Sequence, residues 1–126
     1  MKATIKMELL RANHIDSTGD TFTHECLEKA AADAKNLLIK KNFDRGADTV
    51  GVIDHLYMEG DSLIADCTII DDGIVDLMQA IKDTAKPLEL AAGGVVGKDD
   101  YESVPGGRII RNLELTDTAL TLTKVK

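Results

Sequence analysis

Residues 49–70 read TVGVIDHLYMEGDSLIADCTII and carry a clear strand pattern. Apolar side chains recur at alternate positions in each half, which is the period of a β-strand with one buried face. They are Val50, Val52, Leu56 and Met58 in residues 49–58, and Leu63, Ala65, Cys67 and Ile69 in residues 62–70. Glu59-Gly60-Asp61 supplies a tight turn between the two halves. The stretch therefore predicts an antiparallel β-hairpin.

The chain before the hairpin predicts a strand, a loop and a long helix. Residues 4–10 alternate apolar with polar side chains, and residues 13–20 are dense in turn formers. Residues 24–41 predict a helix, because apolar residues recur there every three or four positions. These residues are Leu27, Ala30, Ala31, Ala34, Leu37 and Leu38. Thr23 is the expected N-cap, and residues 42–48 end the helix.

The chain after the hairpin predicts a second helix and three extended runs. The helix covers residues 74–84, with Asp71-Asp72 as capping carboxylates before it and Pro87 preventing any continuation. Its apolar stripe consists of Ile74, Leu77, Met78 and Ile81. The extended runs are residues 88–96, 108–115 and 118–124, and residues 98–107 form a loop between the first two.

The predicted order of elements is β, α, β, β, α, β, β, β. Hairpins outnumber parallel crossovers in this order, which favours an α+β fold with a mainly antiparallel, curved or barrel-like sheet and two helices packed against it. A chain of 126 residues has the size of one domain, so residues 1–126 are predicted to form a single domain.

Composition excludes several classes of function. The chain has 15 Lys and Arg against 22 Asp and Glu, a formal net charge of −7. A nucleic-acid binder is disfavoured, because affinity for phosphate backbones comes mainly from clustered basic residues. The longest nearly unbroken apolar or small run, residues 88–97, is far below the ~20 residues that span a bilayer, and residues 1–6 have no apolar signal-peptide core. We expect a soluble protein, made in the cytosol, with no membrane partner.

No familiar motif for a cofactor, a metal or a nucleophile is present. Cys26 and Cys67 lack paired spacing and are predicted to be buried free thiols. The acidic loop at residues 16–20 lacks the calcium-binding register, and Gly93-Gly94 lacks the pattern of a phosphate-binding loop. Small residues at 93 and 94 instead allow another backbone to approach closely, or bend a barrel strand. The three histidines, His14, His24 and His55, are interpreted as solvated or structural. The three serines, Ser17, Ser62 and Ser103, stand outside any nucleophile-elbow pattern. We therefore predict no cofactor and no metal.

Five segments together resemble the capsid-maturation (prohead) proteases of tailed phages, which are relatives of the herpesvirus assemblins. In chain order they are DSTGD at residues 16–20 before an alanine-rich helix, NFD at 42–44 followed by VGV at 50–52, GDSLIA at 60–65, LAAGG at 90–94, and LTDTAL at 115–120. The resemblance implies the protease fold and places the catalytic positions on three of these segments.

The sequence departs from the family at the catalytic positions that the resemblance implies. Ala91 stands in place of the nucleophilic serine, and Asn42 stands in place of the histidine base, or Phe43 if the alignment slips by one residue. Asp117 keeps a carboxylate at the acidic position. Alanine cannot attack a carbonyl, and asparagine cannot accept and return a proton near neutral pH.

The resemblance therefore implies a non-catalytic virion protein with a protease-like scaffold. It would be made in the host cytoplasm and bind the phage major capsid protein as a decoration, cement or assembly factor, and homo-oligomerisation stays open. The alternative is an active maturation protease with a displaced catalytic site.

Overall fold

A computed structural model describes residues 3–16, 18–34, 37–43, 46–81 and 88–122. In the described residues, nine strands and two helices follow one another along the chain. They are β1 (Ala3–Arg11), β2 (Asp20–Phe22), α1 (His24–Asp33), β3 (Leu38–Lys40), β4 (Thr49–Glu59), β5 (Ser62–Ile69), α2 (Asp72–Ile81), β6 (Leu88–Val95), β7 (Tyr101–Val104), β8 (Gly107–Ile110) and β9 (Glu114–Leu122).

The main sheet has six strands in the order β1-β5-β4-β3-β9-β6 and curls into a half-barrel. Its pairs are antiparallel except for β3 and β9, which run parallel. The curl brings the end strands β1 and β6 close to each other. A second sheet has the order β2-β8-β7. The predicted α+β class with a curved, mainly antiparallel sheet is confirmed. No helix among the described residues is long and apolar enough to cross a membrane.

The predicted hairpin is formed by β4 and β5, whose ladder runs from Gly51 opposite Ile69 to Glu59 opposite Ser62. A two-residue loop joins the strands, and Gly60 has a φ of +60°, which favours glycine. The predicted apolar face of β5 is wholly buried, because Leu63, Ala65, Cys67 and Ile69 all have 0% exposure. The hairpin and the buried face of β5 are confirmed. The single apolar face predicted for β4 is wrong, because the register shifts between Ile53 and His55. Ile53, Leu56 and Met58 lie opposite the buried residues of β5, whereas Val52 lies opposite Thr68 on the other face.

Helix α1 begins where the sequence predicts and ends earlier. The Thr23 hydroxyl caps it by accepting a hydrogen bond from the backbone N–H of Cys26 at 3.1 Å. The predicted continuation to residue 41 is wrong, because α1 ends at Asp33 and residues 38–40 form β3. Ile39 in β3 is fully buried between Gly51 of β4 and Thr118 of β9. The strand joins two parts of the sheet through its backbone hydrogen bonds, and this tertiary pairing overrides the helical period of the leucines.

Helix α2 is confirmed over residues 72–81, and the Asp71 carboxylate caps it by accepting a hydrogen bond from the N–H of Ile74 at 2.9 Å. The predicted helix end at Thr84 and the stop at Pro87 lie outside the described residues. The predicted strand at residues 88–96 is confirmed as β6.

The prediction of a plain loop at residues 98–107 is wrong. Residues 101–104 form β7, which pairs with β8. Pro105-Gly106 joins the two strands, with Gly106 at a φ of +87°, the arrangement that a type II turn requires. Short strands of mixed polarity such as Tyr101–Val104 carry little alternation, so the sequence pattern does not reveal them.

The boundaries of the two last extended runs are also wrong. The chain leaves the strand conformation at residues 111–113, where the N–H groups of Arg111 and Asn112 donate to the carbonyl of Asp100. Strand β9 then begins at Glu114, inside the first predicted run, and continues to Leu122. The predicted end at Lys124 lies outside the described residues.

The parallel pair of β2 and β8 depends on a close crossing of two glycines. A Cβ on Gly107 would collide with the carbonyl of Gly19, and one on Gly19 would lie 2.6 Å from the carbonyl of Gly106. Beside this crossing, Arg108 donates two hydrogen bonds of 2.8 Å to the carboxylate of Asp20. The Arg108 guanidinium also lies 4.9 Å from the ring centroid of Tyr101. The pairing of β2 with β8 therefore joins the segment after β1 to the three-stranded sheet.

Candidate functional site

The candidate site lies on the antiparallel pair of β6 and β9. In its register Ala91 is opposite Ala119, and Gly93 is opposite Asp117. Alternate residues of a strand share a face, so Ala91 and Gly93 lie on one face together with Asp117 and Ala119. Two of the three positions implied by the resemblance, Ala91 and Asp117, are thus brought to the same face of one strand pair.

Phe43 reaches this site from the bend that follows β3. Its Cε1 lies 3.3 Å from the point that a Cβ on Gly93 would occupy, and the same Cβ would collide with the carboxylate of Asp117. Gly93 therefore leaves room for an aromatic ring and a carboxylate to approach the backbone of β6. Phe43 remains 47% exposed, so its ring forms part of the surface. Asn42, the other position proposed for the base, is exposed at the same bend.

Asp117 is the only ionisable side chain in the group formed by Phe43, Ala91, Gly93, Asp117 and Ala119. Its Oδ1 accepts a hydrogen bond of 3.0 Å from the hydroxyl of Thr116, which is exposed. Thr118 points elsewhere, because its hydroxyl donates to the carbonyl of Leu38 at 3.0 Å. The group can present an aromatic ring and a negative charge, but it has no nucleophile paired with a base.

The sequence does not predict that Gly93 and Thr116 take part in this site. The predicted close approach of a backbone is found at Gly94, where a Cβ would lie 2.7 Å from the backbone carbonyl oxygen of Glu114. The register of β6 against β9 also shifts between Gly93 and Gly94. Gly93 in addition makes room for the side chains of Phe43 and Asp117. Thr116 could have been found from its position next to Asp117 in the LTDTAL segment.

Two of the three serines are described, and both lie outside this site. Ser62 is at the start of β5, where its hydroxyl donates to the Glu8 carboxylate at 2.6 Å. This hydrogen bond is the main reason why the pKa of Glu8 is lowered, and a carboxylate with a lowered pKa is a weak base. Ser103 is exposed on β7. Ser17 lies outside the described residues.

The histidines and cysteines do not form a catalytic arrangement among the described residues. His14 and His55 are exposed, and His24 is half-buried in the first turn of α1. Cys26 and Cys67 are buried free thiols, as predicted, and burial raises the pKa of each to about 11. Thiols with such pKa values are poor nucleophiles near neutral pH.

The acidic loop before β2 is closed by hydrogen bonds to the carboxylate of its own Asp16. One oxygen of the Asp16 carboxylate accepts hydrogen bonds from the N–H of Thr18, the hydroxyl of Thr18 and the N–H of Asp20, at 2.7–2.9 Å. Among the described residues, no group of three or more His, Cys, Asp or Glu side chains is arranged to hold a metal ion.

Comparisons with known proteins identify a solved structure with a similar fold. No protein-family description matches the sequence, and no curated protein matches it. Among solved structures, the chain is similar to the capsid assembly protease gp21 of bacteriophage T4, with a TM-score of 0.71 and 18% sequence identity. The similarity covers 92% of this chain and 80% of the T4 protein. The chain therefore has a prohead-protease-like fold, as the resemblance implies.

Proposed function

We propose that this chain is a non-catalytic bacteriophage structural protein, which uses a prohead-protease-like scaffold to bind the capsid shell as a decoration, cement or assembly factor. The main support is the composition of the candidate site. In the positions that the resemblance assigns to catalysis, only Asp117 carries an ionisable group, and an alanine stands at the serine position. Phe43 fills the space beside Gly93.

The proposed partner is the major capsid protein, and the proposed contact is the edge of β6. Strand β6 ends the six-stranded sheet, and residues 91–96 carry no charge. Val95 near the end of this edge is 57% exposed. An uncharged edge with small side chains allows close backbone approach and strand pairing with a partner. The net charge of −7 repels packaged DNA, which favours contact with protein.

Many copies on a symmetric lattice convert weak single contacts into firm binding. We therefore expect the protein to co-sediment with assembled shells of its phage much more strongly than with isolated capsid subunits. Val95→Lys should weaken this co-sedimentation without unfolding the domain. Ile15→Lys is the matched control, because Ile15 is 70% exposed in the loop before β2, a strand of the other sheet. Absence of the protein from both procapsids and purified particles would contradict the proposal.

The non-catalytic part of the proposal has a separate test. Purified protein should cleave neither itself nor a capsid-protein precursor, and a serine-directed fluorophosphonate should leave its mass unchanged. Conversely, a stoichiometric adduct on Ser17, Ser62 or Ser103, with loss of a measured protease activity, would support the displaced-site protease. The hydrogen bond from Ser62 to Glu8 gives that serine no histidine base.

A further inference from the structure

A groove lies between the last turns of α1 and the segments that flank β9 and β6. Its apolar part is formed by Ala30, Ala34, Val95, Leu113 and Leu115, and its carboxylates are Asp33, Asp100 and Glu114. We call it the α1–β9 groove. Its volume is about 470 Å³, within the range of about 300–1,000 Å³ that is typical of binding clefts.

The charges along the α1–β9 groove are mainly negative. Asp33 and Glu114 are exposed, and neither has a hydrogen-bond or ion-pair partner in the part of the chain that the structure describes. Asp100 is occupied within its own loop, where it accepts hydrogen bonds from the N–H of Gly97 and the side-chain amide of Asn112. Lys29 supplies the one ammonium among the described lining residues, and it donates to the side-chain amide oxygen of Asn112 at 3.3 Å. Two carboxylates without an ion-pair partner among the described residues therefore line this apolar groove.

The floor of the groove presents small and aliphatic side chains. Ala30 and Leu115 are buried at 3% and 8% exposure, whereas Val95 is 57% exposed at one end. Val95 is also on the outer edge of β6, where its backbone has no strand partner among the described residues other than β9. An extended segment lying there could use this edge for backbone hydrogen bonds and the groove for its side chains.

We propose that the α1–β9 groove binds an extended peptide segment of a partner protein, in which arginine or lysine alternates with aliphatic residues. The basic side chains pair with Asp33 and Glu114, and the aliphatic side chains cover Ala30, Ala34 and Leu115. A second copy of this chain fits poorly, because it would bring a net charge of −7 toward the carboxylates. The inference goes beyond the proposed function and does not depend on it, since any partner with such a segment would bind.

The probe is a fluorescein-labelled peptide of sequence Gly-Arg-Leu-Arg-Leu-Arg-Gly, and the measurement is fluorescence polarisation against the intact protein. At an ionic strength of about 0.05 M, Asp33→Lys and Glu114→Lys should each weaken binding about fivefold to tenfold, because each turns an attraction into a repulsion. Asp33→Lys is compatible with folding, since a cation near the C-terminus of a helix is favourable. Glu28→Lys is the matched control, because it makes the same charge change on α1 at an exposed position outside the groove.

Three outcomes would overturn the inference. The first is equal binding of a peptide with glutamate in place of arginine. The second is an equal effect of Asp33→Lys and Glu28→Lys, which would mean that only net charge matters. The third is concentration-dependent self-association of the protein that Asp33→Lys abolishes, which would make a second copy the occupant. Failure of co-sedimentation with shells leaves these measurements unaffected, so the two proposals fail separately.

Discussion

Two neighbouring substitutions in β3, Ile39→Ala and Leu38→Ala, should differ sharply in their cost to stability. Ile39 has 0% exposure and lies between β4 and β9, whereas Leu38 is 41% exposed on the opposite face. If residues 24–41 were one helix, Leu38 would instead belong to the buried stripe that includes Leu27 and Ala34. The pair therefore distinguishes a strand from a helix at this point of the chain.

The expected magnitudes follow from burial. Replacing a fully buried isoleucine by alanine removes its transfer free energy and leaves a cavity, at a cost of about 2–5 kcal/mol. Leu38 is already in contact with water, which fills the space that the smaller side chain leaves. We therefore expect its loss to cost about 1 kcal/mol. For a urea m-value of about 2 kcal/mol/M, the unfolding midpoint should fall by about 1–2.5 M for Ile39→Ala and by about 0.5 M for Leu38→Ala.

Equilibrium unfolding in urea, followed by far-UV circular dichroism, measures both shifts. Leu27→Ala is the benchmark for a fully buried residue, because Leu27 also has 0% exposure, and Glu28→Ala is the control at an exposed position of α1. A larger loss for Leu38→Ala than for Ile39→Ala would refute the strand and restore the long helix.

Three further predictions concern other parts of the fold. Gly107→Ala should lower the free energy of unfolding by about 2–3 kcal/mol in the same assay, because its Cβ would collide with the Gly19 carbonyl; an unchanged midpoint would contradict the close crossing. Asp20→Asn should lower the melting temperature more at pH 7 than at about pH 3. The hydrogen bond from Arg108 lowers the pKa of Asp20 in the folded protein, so its stabilising effect is present above the unfolded pKa of about 3.9 and disappears as the pH falls through the folded pKa. An equal loss at both pH values would argue against this pair. Both cysteines should resist an aromatic disulfide reagent at pH 8 until the protein unfolds, because a thiol with a pKa of about 11 is ionised in roughly one molecule in a thousand; rapid labelling of the native protein would show that burial does not protect them.

The candidate site was only partly accessible from the sequence. The resemblance pointed to Ala91, Asp117 and the Asn42-Phe43 pair on segments far apart in the chain. Only the register of β6 and β9 places Gly93 opposite Asp117, and only the bend after β3 brings the Phe43 ring to the same place. Gly93 and Asp117 are 24 positions apart and Phe43 and Gly93 are 50 positions apart, so no local pattern encodes these contacts.

Elements whose stability is local could be predicted from the amino-acid sequence. The period of two in β5, the turn at Gly60 and the caps at Thr23 and Asp71 each depend on neighbours within a few residues, and all are present in the structure. The period predicted for β4 is interrupted by the shift in register between Ile53 and His55. The strand conformation of residues 38–40 and of the short strands β2, β7 and β8 depends on tertiary pairing. These segments are too short to hold a conformation alone, and they become strands because the sheets offer partners for their backbone hydrogen bonds.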